Sequence, residues 1–164
     1  MVRHVCDVAV GVDAVDRVLI LGPSRHGLPE SVPLLGDPGE GLNAAMSAAV
    51  GAALRAGVAR LLLVSPDLPR LEPGDLATLA TLDPGQFGIA PDRAGTGTNA
   101  LSLPLPAARD FVFGYGADSF VWHVDAVSRI GLAHRVIATP GLSFDIDTPA
   151  DFALLADRRA DTAS

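Results

Sequence analysis

The chain contains no lysine, and its 12 basic residues are all arginine. Acidic residues outnumber them, and the formal net charge is -7 at pH 7. A protein that binds a nucleic acid polymer needs a basic surface that displaces counterions from the phosphates, so this composition argues against such a partner. An acidic protein that binds a small anion must also bring cations to it. Carboxylates that collect a divalent metal are one way of doing so.

Cysteine and long apolar runs are also scarce. Cys6 is the single cysteine, so no internal disulfide can form, which suits a reducing cytoplasm. No run approaches the ~18 apolar residues that a membrane helix needs, and the N-terminus lacks a signal-peptide pattern. We therefore expect a cytoplasmic protein that does not contact a membrane. The length fits one domain, predicted over 1–157, followed by a frayed tail at 158–164.

Strand-like and helix-like segments alternate along the chain, a pattern that predicts an α/β fold with a mostly parallel sheet covered by helices. Apolar runs followed by glycine or proline mark the strands, and apolar residues at helical spacing mark the helices. The predicted helices are 1–15, 42–56, 74–81, 119–130 and one that begins at 149. The predicted strands are 18–21, 61–64, 87–90, 100–103 and 135–138. A long loop is predicted over 23–41, and such a loop suggests a functional segment.

Asp67 directly follows the predicted strand 61–64. In open α/β sheets ligands bind beyond the carboxyl ends of the strands, which is where this residue would lie. Pro66 and Pro69 on either side fix the backbone and prevent a helix there. The alternative is a turn aspartate that bonds its own backbone.

Asp145 and Asp147 form a second acidic pair. In an extended segment they point to the same face, roughly 7 Å apart along the chain, while Ile146 points into the core. Two such carboxylates repel each other unless a cation lies between them or one takes a proton. Mg²⁺ suits them because it prefers oxygen ligands and bridges carboxylates to phosphates. Alternatively, Asp147 only assists the cap of the helix that begins at Pro149.

Two further segments could bind an anion. The loop 95–99 supplies flexible backbone amides and two hydroxyls, one of them on Thr98. Ser119 begins a helix after Gly116, so free amides lie at the positive end of the helix dipole. Each has a simpler interpretation, an ordinary turn and an ordinary helix cap. His123 lies on the apolar face of the same helix, and a buried histidine is the preferred interpretation over a ligand.

Gly41 and Asn43 begin the helix that follows the long loop. An asparagine amide both donates and accepts, which is what reading a base edge or a ribose requires. Capping the helix is the alternative role, and spacing cannot decide between the two.

Five motifs, taken together, are more specific than any one of them. They are Gly-Leu-Asn-Ala-Ala at 41–45, Asp-Leu-Pro at 67–69, Pro-Asp-Arg-Ala-Gly-Thr-Gly-Thr-Asn-Ala-Leu at 91–101, Gly-Ala-Asp-Ser-Phe at 116–120 with His123, and Asp-Ile-Asp-Thr-Pro at 145–149. In this order they resemble the CofC/FbiD family, the guanylyltransferases of deazaflavin coenzyme F-420 biosynthesis. The resemblance covers nearly the whole chain.

The resemblance implies a Rossmann-like nucleotidyltransferase fold with helices on both faces of the sheet. It also implies transfer of GMP from GTP to phosphoenolpyruvate or 2-phospho-L-lactate. The implied roles are catalysis and Mg²⁺ binding for Asp67, Asp145 and Asp147, acceptor binding for Thr98, Gly116 and Ser119, and guanosine binding for Gly41 and Asn43. An acceptor of another kind, such as a phosphoglycerate, is an alternative within the same chemistry.

The chain departs from the family pattern at its start. The family opens with a strand and a lysine-containing loop that cradles the GTP phosphates, and neither is present here. By this resemblance Met1 falls within the family's first helix, so we expect an N-terminally truncated domain, most simply through a misassigned start. Arg25 or Arg93 could supply some of the missing charge, although arginine does not reproduce lysine's geometry. The alternatives are an inactive fragment or a silent phosphoenolpyruvate-binding module. A sheet edge exposed in this way would favour a homo-oligomer or aggregation.

Overall fold

The structure is a computed structural model, and it describes residues 1–37, 39–146, 148 and 151. Helices and strands alternate through this part of the chain. The helices are α1 (Val2–Val10), α2 (Leu42–Arg55), α3 (Pro73–Ala80), α4 (Ser119–Arg129) and α5 (Pro140–Ser143). The strands are β1 (Ile20–Gly22), β2 (Leu34–Gly36), β3 (Arg60–Val64), β4 (Phe87–Pro91), β5 (Thr98–Pro104) and β6 (His134–Val136).

A four-stranded sheet in the order β3-β5-β4-β6 forms the centre of the fold. Strand β5 runs antiparallel to both of its neighbours, and β4 and β6 are parallel. The α/β class is confirmed, and the sheet is mostly parallel, because β3, β4 and β6 point the same way and β5 alone among these four strands runs against them. The short connection 92–97 explains the direction of β5, because parallel neighbours need a crossover of about a dozen residues or more.

Strands β1 and β2 form a separate parallel pair, with Ile20 opposite Leu34. The prediction of one uninterrupted loop over 23–41 is therefore wrong. Its many prolines and glycines conceal the short strand β2, whose hydrogen bonds come from β1. Helix α2 packs against both β1 and β3. Within the described residues, β1 pairs only with β2 and β3 only with β5. That a central strand is missing stays a prediction.

The core lies on both faces of the four-stranded sheet. Alternate side chains of a strand point to opposite faces, so Leu101 and Leu103 pack with α2 and α4, whereas Ala100 packs with α1, α3 and α5. Cys6 is buried on the α1 side, as expected of a small hydrophobe. Helices therefore cover both faces, as predicted. None of the helices in the described ranges is long and apolar enough to cross a membrane.

Several boundaries differ from the predictions. Helix α1 ends at Val10 instead of continuing to 15, and β5 begins at Thr98, inside the predicted loop 95–99. Helix α5 was missed because it has only 4 residues. Thr139 before Pro140 is nevertheless a sequence signal for the start of a helix. The Thr139 hydroxyl caps the helix by accepting a hydrogen bond from Leu142 N. The predicted last helix and the tail at 158–164 lie outside the described residues, apart from Asp151.

Replacing Phe87 with alanine should destabilise the domain by about 3–5 kcal/mol, because the ring is fully buried in the core and lies 4.7 Å from the Phe111 ring. Urea unfolding at pH 7 measures this change. Val121→Ala on the exposed side of α4, where the valine is 56% exposed, is the matched control and should change stability by less than about 0.5 kcal/mol. Equal effects of the two substitutions would contradict the described core.

Candidate active site

The side chains of Thr98 and Ser119 meet in a buried cluster. Thr98 is the first residue of β5, Ser119 is the first residue of α4, and both are almost fully buried. The Ser119 hydroxyl donates to Thr98 Oγ1 at 3.4 Å. His123, one turn along α4, places Nδ1 2.9 Å from the same oxygen. The fold thus joins two of the three residues predicted to bind the acceptor.

His123 is fully buried, which agrees with the preferred interpretation from sequence. Its Nε2 accepts a hydrogen bond from the backbone N–H of Gly114 at 3.1 Å. Aromatic rings surround the imidazole, with the Tyr115 centroid at 4.8 Å and the Phe111 centroid at 5.6 Å. Burial lowers the pKa of His123 to about 4, so the ring is neutral at pH 7. The same surroundings raise the pKa of Tyr115 through burial.

The loop 114–118 leads from this cluster into α4. A side chain on Gly114 would overlap the Trp122 ring, so only glycine fits there. Gly116 has φ +142° and Asp118 has φ 56°, two conformations in the region that favours glycine. Gly116, the third predicted acceptor-binding residue, lies exposed three positions before Ser119 on this loop.

Asn43 is connected to the same loop through two hydrogen bonds. Its Oδ1 accepts from Tyr115 N at 2.8 Å, and its Nδ2 donates to Tyr115 O at 3.4 Å. The residue does not cap α2, because Gly41 is the N-cap and no side chain bonds the helix start there. Gly41 has φ 91°, which glycine adopts without strain. Guanosine binding by Gly41 and Asn43 stays a prediction. The structure connects Asn43 to the Thr98 cluster through Tyr115, whose ring contacts His123.

Two of the three predicted metal ligands, Asp67 and Asp145, lie on neighbouring segments of the described structure. Asp67 follows β3, and Asp145 follows Phe144. The Phe144 ring lies 3.7 Å from the guanidinium carbon of Arg70, three residues after Asp67, so the segments are in contact. Asp67 and Asp145 are half-buried. Asp147, the third predicted metal ligand, lies outside the described residues, and the described part holds no cluster of three or more metal-ligating His, Cys, Asp or Glu side chains.

Asp145 also lines a cavity of about 190 Å³. The other lining residues are Asp92, Arg93, Ala94, Thr148 and Asp151. At roughly 30 Å³ for each water, this volume suits a cation with part of its hydration shell. Carboxylate and hydroxyl oxygens dominate the lining, which is the donor chemistry that Mg²⁺ prefers.

Arg93 and Asp151 close one side of this cavity. Arg93 Nη2 lies 2.8 Å from Asp151 Oδ1. Asp151 Oδ2 accepts from Thr148 N at 2.9 Å and from the Thr148 hydroxyl at 2.7 Å. Thr148 and Asp151 thus bond each other reciprocally, since Asp151 N also lies 3.4 Å from Thr148 Oγ1 and donates to it. The ion pair also partly neutralises Arg93, which was predicted to supply charge for the GTP phosphates.

Asp92 and Arg70 were missed as site residues. Asp92 Oδ1 accepts from Thr96 N at 2.8 Å, so this carboxylate orders the loop between β4 and β5. Thr96 O in turn accepts from Phe120 N at 2.9 Å, which joins the loop to the start of α4. An aspartate followed by glycines is a turn signal, and it could have indicated that Asp92 orders this loop. Nothing in the spacing of the sequence indicates that Arg70 contacts Phe144.

Comparison with known proteins identifies the family. The model of the family described as "Guanylyl transferase CofC like" matches residues 1–162. The chain belongs to this family. The resemblance carried by the five motifs is thereby confirmed, and the chain is a nucleotidyltransferase.

Similar sequences extend over most of the chain. It is 40% identical to the phosphoenolpyruvate guanylyltransferase of Rubrobacter xylanophilus, covering 94% of this chain and 77% of the relative. It is 36% identical to that of Sphaerobacter thermophilus, covering 95% and 77%. The 2-phospho-L-lactate guanylyltransferase of Halorubrum lacusprofundi is 35% identical, with coverage of 94% and 71%.

A solved structure supports the fold. A Desulfovibrio desulfuricans protein assigned as a nucleotide-diphospho-sugar transferase superposes with a TM-score of 0.70 at 20% identity. The match covers 94% of this chain and 70% of the other. At this identity the match confirms the Rossmann-like nucleotidyltransferase fold alone.

The stability of the domain should fall as the pH is lowered from about 6.5 to about 4, because His123 stays neutral when folded and binds a proton when unfolded. The unfolded state then holds more protons, so acid favours it, by an amount on the order of 3 kcal/mol across this window. Urea unfolding of the parent and of His123→Gln at pH 7 and pH 4.5 measures the difference. An equal loss in both proteins would show that His123 is not the cause.

Proposed function

We propose that this chain transfers GMP from GTP to the phosphate of phosphoenolpyruvate and releases pyrophosphate, as a Mg²⁺-dependent step of coenzyme F-420 biosynthesis. One observation carries the proposal. The hydroxyls of Thr98 and Ser119 meet beside the start of α4, in a chain that is 40% identical to a phosphoenolpyruvate guanylyltransferase. The segments that carry Asp67 and Asp145 are both connected to the same strand, since Ser65 N donates to Asn99 O at 2.8 Å and Asn99 Nδ2 donates to Leu142 O at 3.0 Å.

The Thr98 cluster suits the acceptor acid. The Thr98 hydroxyl can donate to a phosphate or carboxylate oxygen while Ser119 donates to Thr98, and the positive end of the α4 dipole favours an anion. His123 is neutral, so the cluster itself contributes no full positive charge. The charge of the acceptor and of the triphosphate must therefore be balanced elsewhere in the site.

Asp67 and Asp145 are the described residues that would hold Mg²⁺, together with Asp147 if its predicted role is correct. When bound, Mg²⁺ would neutralise phosphate charge and orient the triphosphate for in-line displacement. The acceptor phosphate is already an anionic nucleophile, so no side chain has to remove a proton from it. The protein's contribution is to position the acceptor through Thr98 and Ser119 and the nucleotide beside Gly41 and Asn43.

A second candidate acceptor is 2-phospho-L-lactate, which is favoured by the similarity to the Halorubrum enzyme. It presents the same phosphate and carboxylate as phosphoenolpyruvate, and both groups could bind the same two hydroxyls. The two acids differ in the double bond of phosphoenolpyruvate, so discrimination between them by the protein depends on packing around the methyl or methylene carbon.

Pyrophosphate release tests the proposal. The protein is incubated with GTP and Mg²⁺ in the presence of phosphoenolpyruvate, 2-phospho-L-lactate, 3-phosphoglycerate or no acceptor. Release with phosphoenolpyruvate above the no-acceptor control is expected. Release with 3-phosphoglycerate alone would contradict the proposed acceptor. Binding of phosphoenolpyruvate without release would contradict the enzymatic function and indicate a silent binding module instead.

Asp145→Asn should lower the rate of GMP transfer by at least about 100-fold, because metal coordination contributes several kcal/mol to stabilising transition-state charge. The folded structure should persist, since the side chain is only half-buried. Asp110→Asn, which alters an exposed carboxylate elsewhere, is the matched control. A variant whose rate rises with Mg²⁺ as that of the parent does would show that Asp145 is not a metal ligand.

Thr98→Val should raise the KM for phosphoenolpyruvate roughly 10- to 100-fold and leave the KM for GTP nearly unchanged, because the variant loses a hydrogen bond to a charged oxygen. Thr78→Val is the control, since the Thr78 hydroxyl bonds the carbonyl of Gly74 in its own helix. Steady-state kinetics measures both constants. A larger effect on GTP than on the acid would place Thr98 at the nucleotide.

A further inference from the structure

We propose that His123 is a positioning residue, which fixes the Thr98 hydroxyl as a hydrogen-bond donor to an anionic oxygen of the acceptor acid. This inference rests on the proposed function, because it assigns the acceptor to the Thr98 cluster. It adds a residue that would not touch the acceptor and that the five motifs did not assign to binding.

The tautomer of His123 follows from its partner on the far side of the ring. A backbone N–H can only donate, and Gly114 N donates to Nε2 at 3.1 Å. Nε2 must therefore carry a lone pair. In a neutral imidazole the proton is then on Nδ1. Burial keeps the ring neutral, because it lowers the pKa of His123 to about 4.

The Nδ1 proton determines what Thr98 can do. Nδ1–H donates to Thr98 Oγ1 across 2.9 Å, so the single hydroxyl proton of Thr98 has to point away from the imidazole. Ser119 lies on another side of the same oxygen at 3.4 Å and can donate to it as well. With both neighbours donating, the hydroxyl proton of Thr98 is available to a ligand oxygen.

The opposite tautomer would reverse this arrangement. If Nδ1 carried the lone pair, the Thr98 hydroxyl would donate into the imidazole and would present only a lone pair to the ligand. A lone pair repels a phosphate or carboxylate oxygen. The hydrogen bond from Gly114 therefore selects the state of Thr98 that suits an anion.

Packing keeps the His123 ring next to the backbone of Gly114. Trp122 occupies the space in which a side chain at position 114 would lie, so the backbone of Gly114 runs close to α4. Tyr115 contacts the imidazole edge to face at 4.8 Å. Asn43 holds the backbone of Tyr115 at 2.8 Å, which fixes the residue next to the donor.

A pair of substitutions separates the two hydrogen bonds of His123. Asparagine carries its amide where histidine carries Nδ1, so His123→Asn can still donate to Thr98. Glutamine reaches the position of Nε2, so His123→Gln can still accept from Gly114 but loses the donor to Thr98. Asparagine leaves more of the buried ring's space empty than glutamine does, so packing alone would predict the larger effect for His123→Asn. Thermal unfolding establishes that each variant is folded at the assay temperature.

The kinetic expectation is asymmetric. His123→Gln should raise the KM for phosphoenolpyruvate about 5- to 10-fold, the effect of one hydrogen bond, with the KM for GTP unchanged. His123→Asn should stay within about 2-fold of the parent for both substrates. Equal KM values for phosphoenolpyruvate in the two variants would overturn the proposal, because a purely structural histidine would not distinguish the atoms that replace it.

The ring nitrogens supply an independent measurement. In ¹⁵N NMR of the parent at pH 7, with the His123 signals identified by their loss in His123→Gln, Nδ1 should carry the proton. The tautomer with the proton on Nε2 in an active parent would overturn the inference and leave the proposed function intact. A parent that shows the Nδ1 proton but neither binds nor consumes phosphoenolpyruvate would contradict the proposed function, and with it the role assigned to Thr98.

Discussion

The hydrogen bonding of β5 on both of its edges is the constraint on which the rest of the structure depends. The strand is buried along its whole length and pairs antiparallel with β3 on one side and β4 on the other. Because β4 and β5 are consecutive and antiparallel, the short loop 92–97 is sufficient to connect them. That loop leads into Thr98, so the Thr98 side chain lies beside Ser119 at the start of α4. The same pairing places Ser65, two residues before Asp67, beside Asn99.

Most elements of the fold could be predicted from the sequence because their apolar spacing is determined locally. The helices at 42 and 119 and the strand at 61 follow from it directly. The direction of β5 could not be predicted, since period-2 burial is the same in parallel and antiparallel strands. The strand β2 was also missed. Its apolar residues are few, and its hydrogen bonds come from a partner that periodicity does not reveal.

The candidate site shows the same division. The family resemblance implied that Thr98 and Ser119 both bind the acceptor, and the fold brings their hydroxyls together. The binding of Asn43 to the Tyr115 backbone and the contact between Arg70 and Phe144 depend on tertiary packing, so no local signal announces them. The predicted roles of Asn43 were a helix cap or a nucleotide contact. Its observed partner, the Tyr115 backbone, lies 72 residues away in the sequence.

The bonds between Asn43 and Tyr115 have an energetic consequence for the two substrates. The loop that Asn43 holds also contains Gly114, whose amide holds His123. If the nucleotide binds beside Asn43, any shift of that side chain changes the loop against which the acceptor site is ordered. The free energies of binding of the two substrates are then linked, and each must alter the affinity for the other by the same factor. A single asparagine would thus make the two halves of the site cooperative.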